Sequence, residues 1–95
     1  MFTVKKLQSD EARKIFNRQI SRKLPREIQQ VALRKLLMIN NASTIKDLRI
    51  PPANRLEKLS GDRSRQWSIR INEQYRVCFE WIGNDAYNVE IVDYH

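Results

Sequence analysis

The sequence predicts an α+β fold in which two N-terminal helices pack on one face of a mostly antiparallel β-sheet. Three observations carry this. Apolar residues recur at helical spacing as far as Ile39. They alternate one by one from Trp67 to Ile91. Pro51-Pro52 stands between the two regimes and stops regular structure there.

The 95 residues are expected to form a single domain, 1–95, small enough that its stability margin is thin. The composition is globular, with 41% hydrophobic and 31% charged residues, so a packed core is affordable. The longest apolar run, Leu36-Leu37-Met38-Ile39, is far too short to span a bilayer. The opening MFTVKKLQSDE lacks an apolar stretch followed by a small-residue cleavage site, so no secretory signal is read. One cysteine, Cys78, rules out an internal disulfide and fits a reducing cytoplasm. With one cysteine and one histidine, neither a metal site nor a cofactor is expected.

Charge narrows the class of partner. Eighteen Lys and Arg against eleven Asp and Glu give a net charge of +7. Such a field favours a polyanion, above all nucleic acid. The basic residues are spread along the chain, which disfavours a membrane surface.

The elements follow in order. Phe2 and Val4 alternate with polar neighbours, as in a short first strand over 2–7. Ser9 is placed to cap a helix, with Asp10 and Glu11 in its first turn. Ala12, Ile15, Phe16 and Ile20 continue at helical spacing. Pro25 opens a second helix, and Ile28, Val31, Ala32, Leu36 and Ile39 form its apolar face. Asn40-Asn41 ends it. A helical turn is expected around Thr44–Leu48, and Leu56 and Leu59 anchor a short extended segment. SGDRSR, residues 60–65, is an exposed basic loop. Three strands close the chain, with Gly83-Asn84-Asp85 turning the last hairpin.

Alternation fixes the register modulo two, because a one-residue slip sends every side chain to the wrong face, whereas a two-residue shift of the loop would move Arg76 away from Arg70. Ile71 pairs with Tyr75, Ile69 with Val77 and Trp67 with Phe79. Asn72-Glu73-Gln74 is then the loop, and Arg70 lies directly opposite Arg76 on the face away from the helices. The second hairpin pairs Trp81 with Tyr87, Phe79 with Val89 and Val77 with Ile91. Arg76 then faces Val92, with Tyr94 its diagonal neighbour. Like charges opposite each other destabilise a sheet. Two arginines in that position make sense around an anion, since the guanidinium fork fits phosphate. The competing reading pairs each arginine with a carboxylate, and Glu80 and Glu90 share the face.

A basic cleft with arginines and a terminal Asp93-Tyr94-His95 suits RNA cleavage without a metal. RNA supplies its own nucleophile, the 2′-hydroxyl. A base takes its proton, arginines stabilise charge on the phosphate, and an acid protonates the leaving 5′-oxygen. His95 is a candidate acid or base, since an unperturbed imidazole changes charge near neutrality, though a terminal histidine is more often inert. Tyr94 is a candidate acid or a stacking platform. Arg55, Lys58, Arg63 and Arg65 are candidate RNA contacts. Cys78 is read as a semi-buried filler.

The segments RLEKLSGDRSRQWSIRINEQYRVCFEW (55–81) and NVEIVDYH (88–95) resemble the HigB-type toxins of the RelE/ParE toxin–antitoxin superfamily. The N-terminal half agrees only in layout. The resemblance implies a RelE-like fold and a cofactor-independent endoribonuclease, an mRNA interferase that enters the A site of the 70S ribosome and cuts translated mRNA. It implies a cognate helix-turn-helix antitoxin, HigA-like, and a toxin that is monomeric within a toxin–antitoxin hetero-oligomer. By position, Arg76 matches the arginine that contacts the scissile phosphate and Arg70 a neighbouring basic position. Asp93, Tyr94 and His95 match the terminal D-Y-H associated with activity. The family's usual histidine and lysine stand where this chain has Glu57 and Ser60. Glu57, with Lys58 beside it, is the replacement candidate for the base. Two other readings stay open, ParE-like inhibition of DNA gyrase and RNA or ribosome binding without cleavage.

Overall fold

The computed structural model describes residues 10–93. The expected strand over 2–7, the Ser9 cap, Tyr94 and His95 lie outside these residues. Helix α1 spans Asp10–Phe16 and α2 spans Arg26–Asn41. Strands β1 (Glu57–Lys58), β2 (Gln66–Arg70), β3 (Tyr75–Ile82) and β4 (Asp85–Asp93) follow. They form one antiparallel sheet in the order β1-β2-β3-β4. Helix α1 packs on β4, and α2 packs on β3 and β4. This is the α+β layering that the sequence predicts.

Helix α1 is shorter than its apolar spacing implies. Arg18 adopts the left-handed conformation, with φ 61°. The Gln19 N–H then reaches back to the Lys14 carbonyl at 2.7 Å and the Arg18 N–H to Ile15 at 2.9 Å. These two bonds satisfy the last carbonyls and close the helix in a Schellman motif, with arginine where glycine is usual. Ile20, expected on the helix face, is therefore 61% exposed. The Gln29 side chain ties the following loop to α2 through the backbone of Ser21 and Leu24.

Pro25 is the cap residue of α2, not its first helical residue. The expected stripe of Ile28, Ala32, Leu36 and Ile39 is buried, against Leu48, Ile69, Val77, Phe79 and Val89. Ile45–Leu48 is a 3₁₀ turn, closed by a capping box between Thr44 and Asp47. Pro52–Asn54 is a second 3₁₀ turn that begins on the proline instead of ending all structure. Arg55 follows it in the left-handed region, with φ 44° and ψ 54°. That bend delivers the chain into β1. SGDRSR is exposed as expected and contains a 3₁₀ turn over Gly61–Arg63.

The first hairpin has the predicted register: Trp67 faces Phe79, Ile69 faces Val77 and Arg70 faces Arg76. The Asn72 side chain builds its turn by accepting the Gln74 and Tyr75 N–H groups at 2.9 and 2.7 Å. In the second hairpin Val77 faces Ile91 and Arg76 faces Val92, as predicted. Beyond them the register shifts between Cys78 and Glu80. Asn88, at φ 52°, is the extra residue of a β-bulge, a conformation that asparagine tolerates. Its amide donates to Glu80 at 2.6 Å. Trp81 consequently faces Ala86 rather than Tyr87, and Tyr87 pairs with Glu80 on the opposite face. Ala86 takes the buried position that the alternation assigned to Tyr87. Gly83, at φ 64°, supplies the positive dihedral of the tight turn between Ile82 and Asp85.

Candidate active site

The sheet's second face carries Ser68, Arg70, Arg76 and Cys78, since their neighbours Ile69, Val77 and Phe79 point into the core. It is less open than parity alone implies. Arg76 is only 9% exposed, and Ser68 and Cys78 are fully buried. Arg76 Nε donates to Ser68 Oγ at 2.7 Å, and Nη2 donates to the Arg55 carbonyl at 2.7 Å. Glu57 Oε1 lies 3.9 Å from Nε. The short strand β1 brings this carboxylate there, because Glu57 pairs with Ser68, directly beside Arg76.

Arg76 is thus a cross-sheet anchor as well as a cation. The expectation of two open guanidiniums side by side holds for Arg70. Arg70 is half-buried and forms no side-chain hydrogen bond or ion pair among the described residues. The carboxylate that meets Arg76 is Glu57, not the Glu80 or Glu90 that parity offered. Arg55, Arg70, Asn72, Glu73 and Arg76 enclose a hollow of about 270 Å³.

Of the other predicted residues, Lys58 faces Trp67 across the strands, its ammonium 4.9 Å from the ring centroid. That is a cation–π contact. Arg63 donates to Gln66 Oε1 at 2.8 Å, and Arg65 is exposed in the same loop. Glu57, Lys58, Ser60 and Arg63 line a separate shallow hollow of about 230 Å³. Asp93 sits at the end of β4, opposite Tyr75. It therefore leaves the strand on the side away from Arg76. Gln74 holds its carboxylate through an amide at 3.1 and 3.3 Å. The described part of the D-Y-H terminus thus borders the site at the sheet end and does not share its face.

Two residues escaped the sequence reading. Lys35 is 8% exposed on α2, and its ammonium donates to Asn54 Oδ1 at 2.6 Å. Asn54 in turn donates to the Leu48 carbonyl at 3.1 Å. Burial, and secondarily the neighbouring Arg34, lowers the Lys35 pKa from its ordinary value. The signal was present: Lys35 lies three residues after Ala32 and four before Ile39, inside the apolar stripe. Ser68 was passed over as an ordinary polar strand residue, yet it orients Arg76. Burial raises the Cys78 thiol to about 11, opposed by Arg63 and Arg76. It stays protonated at neutral pH and offers no nucleophile.

Chemically, the arrangement combines a fixed guanidinium, a second unpartnered one, and a carboxylate beside them. Groups of this kind can bind a phosphate and take a proton next to it. Residues 5–95 match the model of the family described as "RelE-like toxin of type II toxin-antitoxin system HigB". The chain is 43% identical over 67 residues to "Toxin HigB-1" of Vibrio cholerae serotype O1, covering 70% of each protein. It is 42% identical over 41 residues to "Endoribonuclease HigB" of Proteus vulgaris, covering 43% of this chain and 45% of that protein. An uncharacterized protein of Haemophilus influenzae is 42% identical over 67 residues, 70% of this chain and 66% of its own length. With this fold, and with a family match that runs through the whole basic sheet, the chain belongs to the HigB family of RelE-like toxins of type II toxin–antitoxin systems.

Proposed function

We propose that this toxin is a cofactor-independent endoribonuclease that cuts mRNA in the A site of the translating ribosome. The observation that carries the reading is the joint placement of Arg70, Arg76 and Glu57 on one patch of sheet. Arg76 binds the scissile phosphate, preorganised by Ser68 and the Arg55 carbonyl, so little reorganisation is needed as charge develops. Arg70, which has no protein partner among the described residues, takes a second phosphate oxygen. Glu57 accepts the 2′-hydroxyl proton in place of the family's usual histidine. Attack of the 2′-oxygen on phosphorus breaks the bond to the 5′-oxygen and leaves a 2′,3′-cyclic phosphate. Tyr94 or His95, at the end of the D-Y-H terminus, supplies the proton for the leaving oxygen, and Asp93, held by Gln74 at the sheet end, positions that terminus. Arg55, Lys58, Arg63 and Arg65 contact RNA of the substrate or ribosome. The relative named an endoribonuclease supports the same chemistry.

Type II systems pair a toxin with a cognate antitoxin protein. The partner proposed here is a helix-turn-helix, HigA-like antitoxin, with the toxin monomeric within a toxin–antitoxin hetero-oligomer. Translated mRNA as the substrate places the toxin in the cytoplasm. No helix among the described residues is long and apolar enough to cross a membrane. The test is 5′-end mapping of a defined mRNA in reconstituted translation, with and without ribosomes. New 5′-hydroxyl ends only on translated mRNA are expected. Their absence with folded protein would favour ribosome occupancy or gyrase inhibition, for which Glu57 and Ser60 at the family's histidine and lysine positions are the motive.

A further inference from the structure

A larger groove adjoins the phosphate site. It lies between α2 and the Pro52–Asn54 turn and encloses about 810 Å³, within the range of roughly 300–1,000 Å³ typical of ligand sites. Arg34 and Lys35 line it from the helix, and Arg55 and Arg70 from the sheet side. No carboxylate lines it. The rest of its lining is mostly apolar and includes Met38 and Pro52. Arg55, Arg70 and Asn72 also wall the hollow around Arg76, so the two spaces are neighbours that share three side chains.

The cations are poorly compensated. The side chains of Arg34, Arg55 and Arg70 form no hydrogen bond or ion pair among the described residues. Lys35 spends one donor on Asn54, and no other described residue accepts from its ammonium. A buried cation with donors to spare is costly unless an anion or water meets it. Four cations converging on one otherwise mostly apolar groove exceed what solubility requires.

We infer that this groove is a second nucleotide subsite, which takes a phosphate and base of single-stranded RNA next to the nucleotide cleaved at Arg70 and Arg76. The phosphate meets the Arg34, Lys35 and Arg55 cluster, and the base lies on Met38 and Pro52. The helix α2, outside the motif segments, thereby helps hold the substrate strand. The subsite rests on the ribonuclease reading for its neighbour, but its own occupancy is measurable without cleavage.

The lowered pKa of Lys35 fits the same picture, since an arriving phosphate would favour the charged form that burial disfavours. Lys35 also supports Asn54, so a Lys35 variant risks the fold. Arg34 is exposed and is the cleaner probe.

The experiment measures binding of the full chain to a fluorescent hexanucleotide RNA, 2′-deoxy at every position that could be cut, across a salt series. A matching dinucleotide and an oligoglutamate of equal charge are the controls. Arg34→Ala should weaken the hexanucleotide about tenfold, as loss of one charged hydrogen bond implies. It should also flatten the salt slope by about 0.7, one phosphate on a single strand. The loss should be smaller for the dinucleotide. Unchanged hexanucleotide affinity in Arg34→Ala and in Arg34→Glu overturns the proposal. An equal loss for oligoglutamate overturns it too, because the groove then reads charge and not a nucleotide. mRNA cleavage by the unaltered chain is scored in parallel. If cleavage fails while the Arg34 effects appear, the ribonuclease reading falls and the groove stands.

Discussion

Arg76 on β3 donates to the backbone carbonyl of Arg55, 21 residues earlier in the chain, at 2.7 Å. Arg55 itself sits in the left-handed region at the exit of a 3₁₀ turn. One side chain therefore fixes the bend that leads into β1, and β1 carries Glu57. The proposed phosphate ligand and the proposed base are placed by the same hydrogen bond.

Arg76→Ala should then fail in two ways. Cleavage should be lost. Stability should also fall by about 2–3 kcal/mol, because the Ser68 hydroxyl and the Arg55 carbonyl lose a charged donor. For a domain of this size that lowers the melting temperature by on the order of 10 °C. Thermal melting and mapped cleavage on the same preparation check both. Ser68→Ala should show a milder version of each, although Ser68 is fully buried and out of reach of RNA.

Arg70 should separate the two effects. It is half-buried, lacks a side-chain partner among the described residues, and faces a like charge across the strands. Arg70→Gln should reduce cleavage by at least tenfold while shifting stability by less than about 0.5 kcal/mol, upward if at all. Calorimetry beside a single-turnover cleavage assay tests this. A large loss of stability would show that Arg70 carries structure instead.

Glu57 should behave as a proton acceptor. Glu57→Gln keeps the shape and removes the basicity, and should slow cleavage by about 10²–10⁴-fold, the usual worth of a positioned base. Glu57→His, the family's usual residue, should recover much of the rate. The acidic limb of its pH profile should lie near the ordinary histidine pKa of about 6.5. A profile identical for the glutamate and histidine forms would move the base to another residue.

Removing Tyr94 and His95 should abolish cleavage with a melting temperature changed by only a few degrees. Core contacts of β4 come from Ala86, Val89 and Ile91, and Asp93 is already exposed. Gln74→Ala, which releases Asp93 from its amide, should give a partial defect of the same kind. The paired measurement is cleavage rate against melting temperature for both variants.

The face of every residue in the first hairpin was legible because alternation fixes the register modulo two, and choosing the three-residue loop Asn72-Glu73-Gln74 selected one pairing among those allowed. That placed Arg70 opposite Arg76 correctly. Burial of Arg76 was not legible. Parity assigns a face but does not reveal that β1 and the Arg55 bend close over it. The Asn88 bulge was hidden for a related reason: one inserted residue leaves the hydrophobic spacing almost intact and moves only Tyr87. Lys35 was legible in principle. A lysine within the stripe of Ala32, Leu36 and Ile39 is carried onto the packed face of the helix, where its ammonium needs a partner.

Cys78 gives a prediction independent of function. Burial raises its thiol from 9.0 to about 11. The folded form therefore keeps its proton where the unfolded chain has begun to lose it. The contribution to stability is fully present below pH 9 and is lost as pH rises towards 11. Cys78→Ala should thus show a shallower decline in melting temperature between those pH values than the unaltered chain. At pH 8 the native thiol should react with a disulfide reagent about a hundredfold more slowly than in denaturant on thiolate fraction alone, and more slowly still through burial. Equal rates in the two states would mean that β3 opens readily at Cys78. The Ser68–Arg76 hydrogen bond, one rung away, would then be too short-lived to preorganise a phosphate site.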